Sequence, residues 1–422
     1  MLSITHPVPY EVIQRANNNI GYVLVEGTCE LNVTRIVVEF VPIESVIMPK
    51  QGTASGRFVI VPIGGRYAGR VPVAGGWYRL IATSYTDVQA ETASVEHVGV
   101  GEVFVLFGHS VPQADETAYV GAEDERVTAP LKTNEQTASV DFEFGRLGDN
   151  SPRGPFNKMP GPHGLTGDLL VKRLNVPVAF YGANFGGSNI ELNYKVINGI
   201  PFGHGFISYE RNMPFEPLKR SLLDFASKTG VRAVISQHGI NDAGRDENAF
   251  YSEYKAVIDQ TRNIFDSALP WVVILDDNGN ASIDPQRAGI RRLWNTANVY
   301  PGFDFREITS MIPRDDKVHP KLSTEWAKYA ELLNASINDD FLSRSAPVLV
   351  KSTAPIATPE TANVTVVQPK VKTASLLQLP DVGSFIPEEL RQDWKEISTP
   401  TKILGGVILA VLLIAIIVKS ND

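Results

Sequence analysis

Four short, largely apolar runs set the tightest limit on what this chain can fold into: "VFVLF" at 103–107, "PVAFYG" at 177–182, "RAVISQ" at 232–237 and "WVVILDD" at 271–277. Runs of this length without polar alternation read as strands buried on both faces. Segments with helical character lie between them: "GLTGDLLVKRL", "PLKRSLLDFASKT" and "NAFYSEYKAVIDQTRNIFDS". In the last, Phe250, Tyr254, Val257, Ile258 and Ile264 keep an approximate helical spacing. A final helix is predicted in "STEWAKYAELLNASINDDFL", with Trp326, Ala330, Leu333 and Ile337 as its apolar stripe. Strands alternating with helices argue for a mainly parallel sheet covered on both faces.

The region before residue 99 reads differently. "GYVLVEG", "RIVVEFVPI", "GRFVIVPI", "GRVPVAG" and "GWYRLIATS" are short β-rich runs broken by Gly, Pro and Asn. Their spacing predicts an immunoglobulin-like sandwich over 1–98, with Trp77 and Tyr78 filling its core. The α/β region then occupies 99–345. Residues 346–400 are rich in Pro, Thr, Ala and Val and read as a linker or stalk. Residues 401–422 hold "ILGGVILAVLLIAIIV" at 403–418, without a polar side chain and bracketed by Lys402 and Lys419. As a helix it is about 24 Å long, and the expectation is a transmembrane anchor in a lipid bilayer.

The N-terminus lacks the pattern of a secretory signal peptide. A C-terminal anchor without a leader would normally leave the larger part of the chain in the cytoplasm, but lysines on both sides of the run leave the side of the membrane open. Unconventional export, an internal site of action, and placement in a virus particle or a surface-attached assembly are the alternatives. The net charge of −8, with no basic stripe, argues against nucleic acid as a partner. The single cysteine, Cys29, excludes an internal disulfide and reads as a small hydrophobe in a strand.

In a parallel α/β sheet, ligands gather beyond the carboxyl ends of the strands. Three of the apolar runs lead straight into polar clusters: Gly108-His109-Ser110, then "YGANFGGSNIE", then "SQHGIND". A fourth cluster, "PRDDKVHP", puts Asp316 three residues before His319 and just ahead of the last helix. Together these supply what ester hydrolysis needs. A serine hydroxyl requires a base near neutral pKa, and His319 can be that base for Ser110. Asp316 can fix the imidazole's tautomer. The N–H groups of Ser110 and Gly186 and the carboxamide of Asn241 can converge on the oxyanion of a tetrahedral intermediate. His109, His163, Asn189 and His238 are assigned to the substrate rim. No spacing of histidines and carboxylates specifies a metal, and the serine chemistry needs no cofactor.

The same segments resemble the SGNH (GDSL-type) hydrolase superfamily, most closely its sialate O-acetylesterase and carbohydrate acetylesterase branch. That branch has an apolar strand followed by Gly-Gln-Ser, where this chain has "FGHS". It also has a Gly-Pro stretch, a helix, a Pro-Val strand and a Gly-Gly-Ser or Gly-Gly-Thr turn. Here that run is "MPGPHGLTGDLLVKRLNVPVAFYGANFGGSNIE". The superfamily's Gly-x-Asn-Asp and Asp-x-x-His blocks stand as "GIND" and "DKVH". The likeness covers roughly residues 100–340. It implies a three-layer α/β/α hydrolase domain, Ser110 as nucleophile, Gly186 and Asn241 in the oxyanion hole, and His319 with Asp316 as base and partner. The implied reaction is removal of an O-acetyl group from a carbohydrate through an acetyl-serine. His109 stands where the branch has glutamine, and Val111 where it commonly has asparagine. Two rivals follow from these departures: a non-catalytic carbohydrate-binding or structural protein on the same fold, and a lipase or thioesterase.

Overall fold

One strand organises the molecule. In the computed structural model, which describes residues 1–43, 56–114, 121–131, 143–312 and 318–360, the chain first lays down seven strands. They are β1 (Ser3–His6), β2 (Val12–Gln14), β3 (Ile20–Thr28), β4 (Arg35–Pro42), β5 (Arg57–Ile60), β6 (Arg66–Ala74) and β7 (Gly76–Tyr85). The eighth, β8 (Ala90–Gly108), is 19 residues long. Its first half alternates exposed and covered residues and pairs antiparallel with β7. Its second half is buried at every position and lies between parallel neighbours β11 (Val178–Gly182) and β12 (Ala233–Gln237). The sequence dictates the change: "AETASVEHV" carries polar residues for solvent, while "VFVLF" has none.

The remaining strands are β9 (Val127–Pro130), β10 (Phe144–Arg146), β13 (Trp271–Leu275), β14 (Val299–Asp304) and β15 (Thr358–Pro359). The helices are α1 (Ser110–Gln113), α2 (His163–Leu174), α3 (Ile190–Ile197), α4 (Glu216–Arg220), α5 (Ser227–Thr229), α6 (Glu247–Ile264), α7 (Asp284–Leu293), α8 (Arg306–Thr309), α9 (Ser323–Ser336) and α10 (Asp339–Arg344). A π-helical turn, Ser221–Ala226, joins α4 to α5. The parallel limb runs in the order β9, β11, β8, β12, β13, β14, with β10 antiparallel at its edge.

Alternate residues of β8 feed different cores. Val103, Val105 and Phe107 pack with Phe250, Tyr254, Val257 and Ile258 of α6 and with Ile290 and Leu293 of α7. Phe104 and Leu106 face Leu170 and Val171 of α2 and Trp326, Tyr329 and Leu333 of α9. The result is the expected sheet between two helical layers.

The immunoglobulin-like sandwich expected over 1–98 is not formed as a closed unit. β1, β3 and β6 make a three-stranded sheet, while β4, β5 and β7 belong to an open twelve-stranded sheet that continues through β8 into the parallel limb. β2 pairs parallel to β8 at Gly99–Gly101, binding the two limbs further. The three-stranded sheet and the antiparallel limb share an apolar core of Val23, Val25, Val71, Val73, Ile36, Val38, Leu80 and Val98. Trp77 and Tyr78 are both buried, but as neighbours on a strand they enter opposite cores. Cys29 lies just beyond β3 and is half-buried. Residues 346–360 fold back over the described unit: Val231 and Val348 exchange backbone hydrogen bonds, and β15 pairs with β5.

The transmembrane anchor expected at 403–418 falls outside the described residues. Among the described residues no helix is long and apolar enough to cross a membrane. Even the 18-residue α6 carries Glu253, Lys255, Asp259 and Arg262. The expected bilayer partner and single-pass placement thus have no membrane-spanning helix to support them among the described residues, and the virus-particle placement built on that anchor loses its basis.

Candidate active site

Ser110 stands at the carboxyl end of β8 as the first residue of α1. Glycine is required just before it. A Cβ at Gly108 would lie 2.4 Å from Pro112 Cγ and 2.8 Å from the Gln237 carbonyl oxygen. Ser110 Oγ is 2.8 Å from His319 Nε2, across 209 positions of sequence. His319 and Ser110 are both half-buried. The turn after His319 is fastened by Glu325 of α9, whose Oε2 accepts from the N–H groups of Lys321 (2.6 Å) and Leu322 (3.0 Å). Asp316 lies outside the described residues.

The loops after β8, β11 and β12 are tied to each other. The Gly108 carbonyl accepts from the Phe185 N–H at 2.8 Å and from Ser188 Oγ at 3.3 Å. Asn241 donates one hydrogen of its Nδ2 to the Ser188 carbonyl at 2.8 Å, and its carboxamide is exposed. A Cβ at Gly186 would lie 3.8 Å from Ser110 Cβ, so this glycine borders the Ser110 side chain. Gly187 has φ +74°, a left-handed conformation that favours glycine. Asn189 caps α3, accepting from the Leu192 N–H at 2.8 Å. Asp242 accepts from the N–H groups of Ile190 and Glu191 at the same helix end. Burial pushes its carboxyl up to about 6 against the opposing pull of those bonds and of Arg245.

The three histidines assigned to the rim are all buried. His109, 1% exposed, caps α1: its Nδ1 accepts from the Val111 N–H, so its proton rests on Nε2. Nε2 donates to Asp276 Oδ2 at 2.9 Å. His163 accepts from the guanidinium of the buried Arg153. Burial and that neighbouring charge hold its pKa well below the usual histidine range. His238 contacts Ser188 Oγ at 3.2 Å and packs on Phe107, and burial, with His109 nearby, likewise keeps it neutral. Arg153 also donates to the carbonyls of Pro112 and Gln113, fixing the end of α1.

Asp276 is the residue that sequence reading missed. It directly follows β13, and its buried carboxylate accepts from His109 Nε2, from the Ile240 N–H at 2.9 Å and from Gln237 Nε2 at 3.0 Å. Gln237 Oε1 in turn accepts from the Tyr329 hydroxyl of α9 at 2.9 Å. One carboxylate thus links the Ser110 turn, the Asn241 turn and the helix that follows His319. The signal was present: "WVVILDD" ends in a polar pair just as the other strands do. Among the described residues no cluster of His, Cys, Asp and Glu is arranged to hold a metal ion.

No protein-family model matches the chain, and no curated protein sequence matches it. Solved structures do. A carbohydrate acetylesterase from Xanthomonas citri superposes with a TM-score of 0.52 at 15% identity, covering 80% of this chain and 74% of that one. A protein from Arabidopsis thaliana aligns at 15% identity over 58% of this chain and 98% of its own, with a TM-score of 0.40. A lipase/acylhydrolase from Enterococcus faecalis aligns at 13% identity over 62% and 100%, with a TM-score of 0.32. The first of these likenesses is one of fold: the chain has an α/β architecture shared with an ester hydrolase.

Proposed function

We propose that the protein is an SGNH-type serine esterase that removes O-acetyl groups from a carbohydrate, with the chemistry carried by residues 99–345. The observation that supports it most is the 2.8 Å hydrogen bond between Ser110 Oγ and His319 Nε2, made at the carboxyl edge of a parallel sheet. His319 Nε2 takes the Ser110 proton as Oγ attacks the acetyl carbonyl carbon. The oxyanion formed is met by the N–H groups of Ser110 and Gly186 and by the second Nδ2 hydrogen of Asn241. Collapse breaks the bond to the sugar oxygen, which leaves with the proton held by His319. Water then gives its proton to His319, attacks the acetyl-serine, and releases acetate with return of the proton to Oγ. Asp316 is assigned to His319 Nδ1 on its three-residue spacing. The acetyl and carbohydrate parts of the reading draw on the segment resemblance and on the fold shared with the Xanthomonas citri carbohydrate acetylesterase.

The test is acetate release by the full chain from O-acetylated sugars and from a short chromogenic acetate ester. Ser110→Ala and His319→Ala are expected to lower kcat by about a thousandfold or more. Hydrolysis undiminished in Ser110→Ala, or absent in the folded parent, overturns the proposal.

A further inference from the structure

Phe206 is a large aromatic side chain left mostly open to solvent. It is 66% exposed, whereas its neighbour Ile207 is 2% exposed and joins Leu192 and Met213 in a small core. Its location is particular. The ring edge lies on the backbone of Gly187, where a Cβ would come within 2.6 Å of Phe206 Cζ. Gly187 follows Gly186, which borders Ser110. With neighbouring Cα atoms 3.8 Å apart, these contacts place the ring edge within roughly 13 Å of Ser110 Cβ. Phe185, half-buried, sits beside it with ring centroids 6.4 Å apart.

The loop holding Phe206 is fixed by His204. His204 Nδ1 accepts from the N–H groups of Phe206 (3.4 Å) and Ile207 (3.2 Å). Its ring meets Phe206 edge to face at 4.6 Å. Because Nδ1 accepts, the neutral imidazole carries its proton on Nε2, on an exposed side chain. An open aromatic face therefore stands beside an N–H donor, one short loop from the nucleophile.

Resting on the esterase reading above, we infer that Phe206 is the platform on which the sugar ring of the acetylated substrate stacks, with His204 Nε2–H donating to a ring hydroxyl. A sugar ring has an apolar C–H face and polar edges, and this pair of groups matches both. A long acyl chain calls for an enclosed apolar channel, which an open ring flanked by an imidazole does not provide. The ring touches no reacting atom, so its contribution is to binding and orientation.

The experiment compares the full chain with Phe206→Ala and Phe206→Trp on three substrates: an O-acetylated monosaccharide, a short chromogenic acetate ester and a chromogenic ester of a long-chain fatty acid. Phe206→Ala is expected to raise KM for the acetylated sugar roughly tenfold with kcat little changed. It leaves the short ester unaffected, and Phe206→Trp keeps the parent's KM. An unchanged sugar KM in Phe206→Ala overturns the inference, as does a loss confined to the long-chain ester. Equal losses on all three substrates do so as well, because they mark a structural role. Short-ester hydrolysis by the parent and not by Ser110→Ala keeps the esterase reading whatever Phe206→Ala does. Absence of all hydrolysis by the folded parent overturns both.

Discussion

Two buried polar clusters bracket the parallel half of β8, and they are built differently. At its start, Glu102 accepts from Arg15 Nε (2.9 Å), from Arg232 through Nε (2.7 Å) and Nη2 (3.1 Å), and from Gln14 Nε2 (2.8 Å). Arg232 also reaches the Asn17 side chain and the Ser345 carbonyl. This cluster stitches the N-terminal strands to the α/β half with full charges. At the strand's end, Asp276 gathers a neutral imidazole, a backbone N–H and a carboxamide. Loss of a partner from the first cluster strands a charge in the interior. Loss from the second strands neutral donors, a smaller cost in stability, but it frees the groups around Ser110. The first cluster holds the fold together and the second holds the site in shape.

Four measurements sharpen or break this contrast. The largest effect is expected for Glu102→Ala, which leaves Arg232, 2% exposed, without its carboxylate. Denaturant melts should show a loss of about 3–5 kcal/mol, with ester hydrolysis per folded molecule unchanged. Asp276→Ala should cost less, about 2–3 kcal/mol for its orphaned donors, and should lower kcat by roughly tenfold to a hundredfold through misplacement of the Ser110 and Asn241 turns. Asp276→Asn should recover most of that kcat. Its oxygen can still accept from His109 and Ile240 while Gln237 turns over to meet the new amide. A kcat loss in Glu102→Ala with none in Asp276→Ala reverses the assignment of roles.

The third measurement is the pH dependence of stability. Burial opposes ionisation of Glu102, yet Arg232 and Arg15 outweigh it and hold its carboxyl below the usual glutamate value. Its contribution is therefore present above that value and is lost as pH falls below it. In the N-terminal region His6 shows the opposite sense. Burial opposes its charge, but the Glu11 carboxylate, 2.9 Å from Nε2, prevails and raises it to about 9. That contribution, about 3 kcal/mol, is complete below pH 6.5 and lost as pH rises through about 9. The alkaline limb of a stability-versus-pH curve should flatten in His6→Gln; an unchanged limb removes His6 from the account. The smallest effect is expected for His109→Gln. A carboxamide can accept from Val111 and donate to Asp276, so kcat should stay within about threefold. A larger loss would show that the imidazole's shape, not its hydrogen bonds, sets the turn.

The contrast also explains what was legible beforehand. Runs such as "VFVLF" and "WVVILDD" announce buried parallel strands by composition alone, and the spacing of Phe250, Tyr254, Val257 and Ile258 announces α6. The change of pattern near residue 98 falls inside one continuous strand. The glycines of "VGVGE" admit close packing there: a Cβ at Gly101 would fall 1.9 Å from the Pro177 carbonyl oxygen. The buried histidines were unreadable for another reason. Residue type does not reveal a partner far along the chain, and Asp276 lies 167 positions from His109. Ser110 and His319 could be singled out beforehand because local motifs mark each of them, and the structure brings their side chains together.

The continuity of β8 also governs how the chain is made. Its antiparallel half meets β7, already synthesised, as soon as it leaves the ribosome. Its apolar second half must wait for β11 and then β12, with helices and loops translated in between. Through that interval the nascent protein carries two open strand edges of "VFVLF" on an N-terminal platform that still lacks β15, a species prone to wrong association. Co-translational folding, rather than the finished structure, is then the stage at which this protein is most exposed to failure.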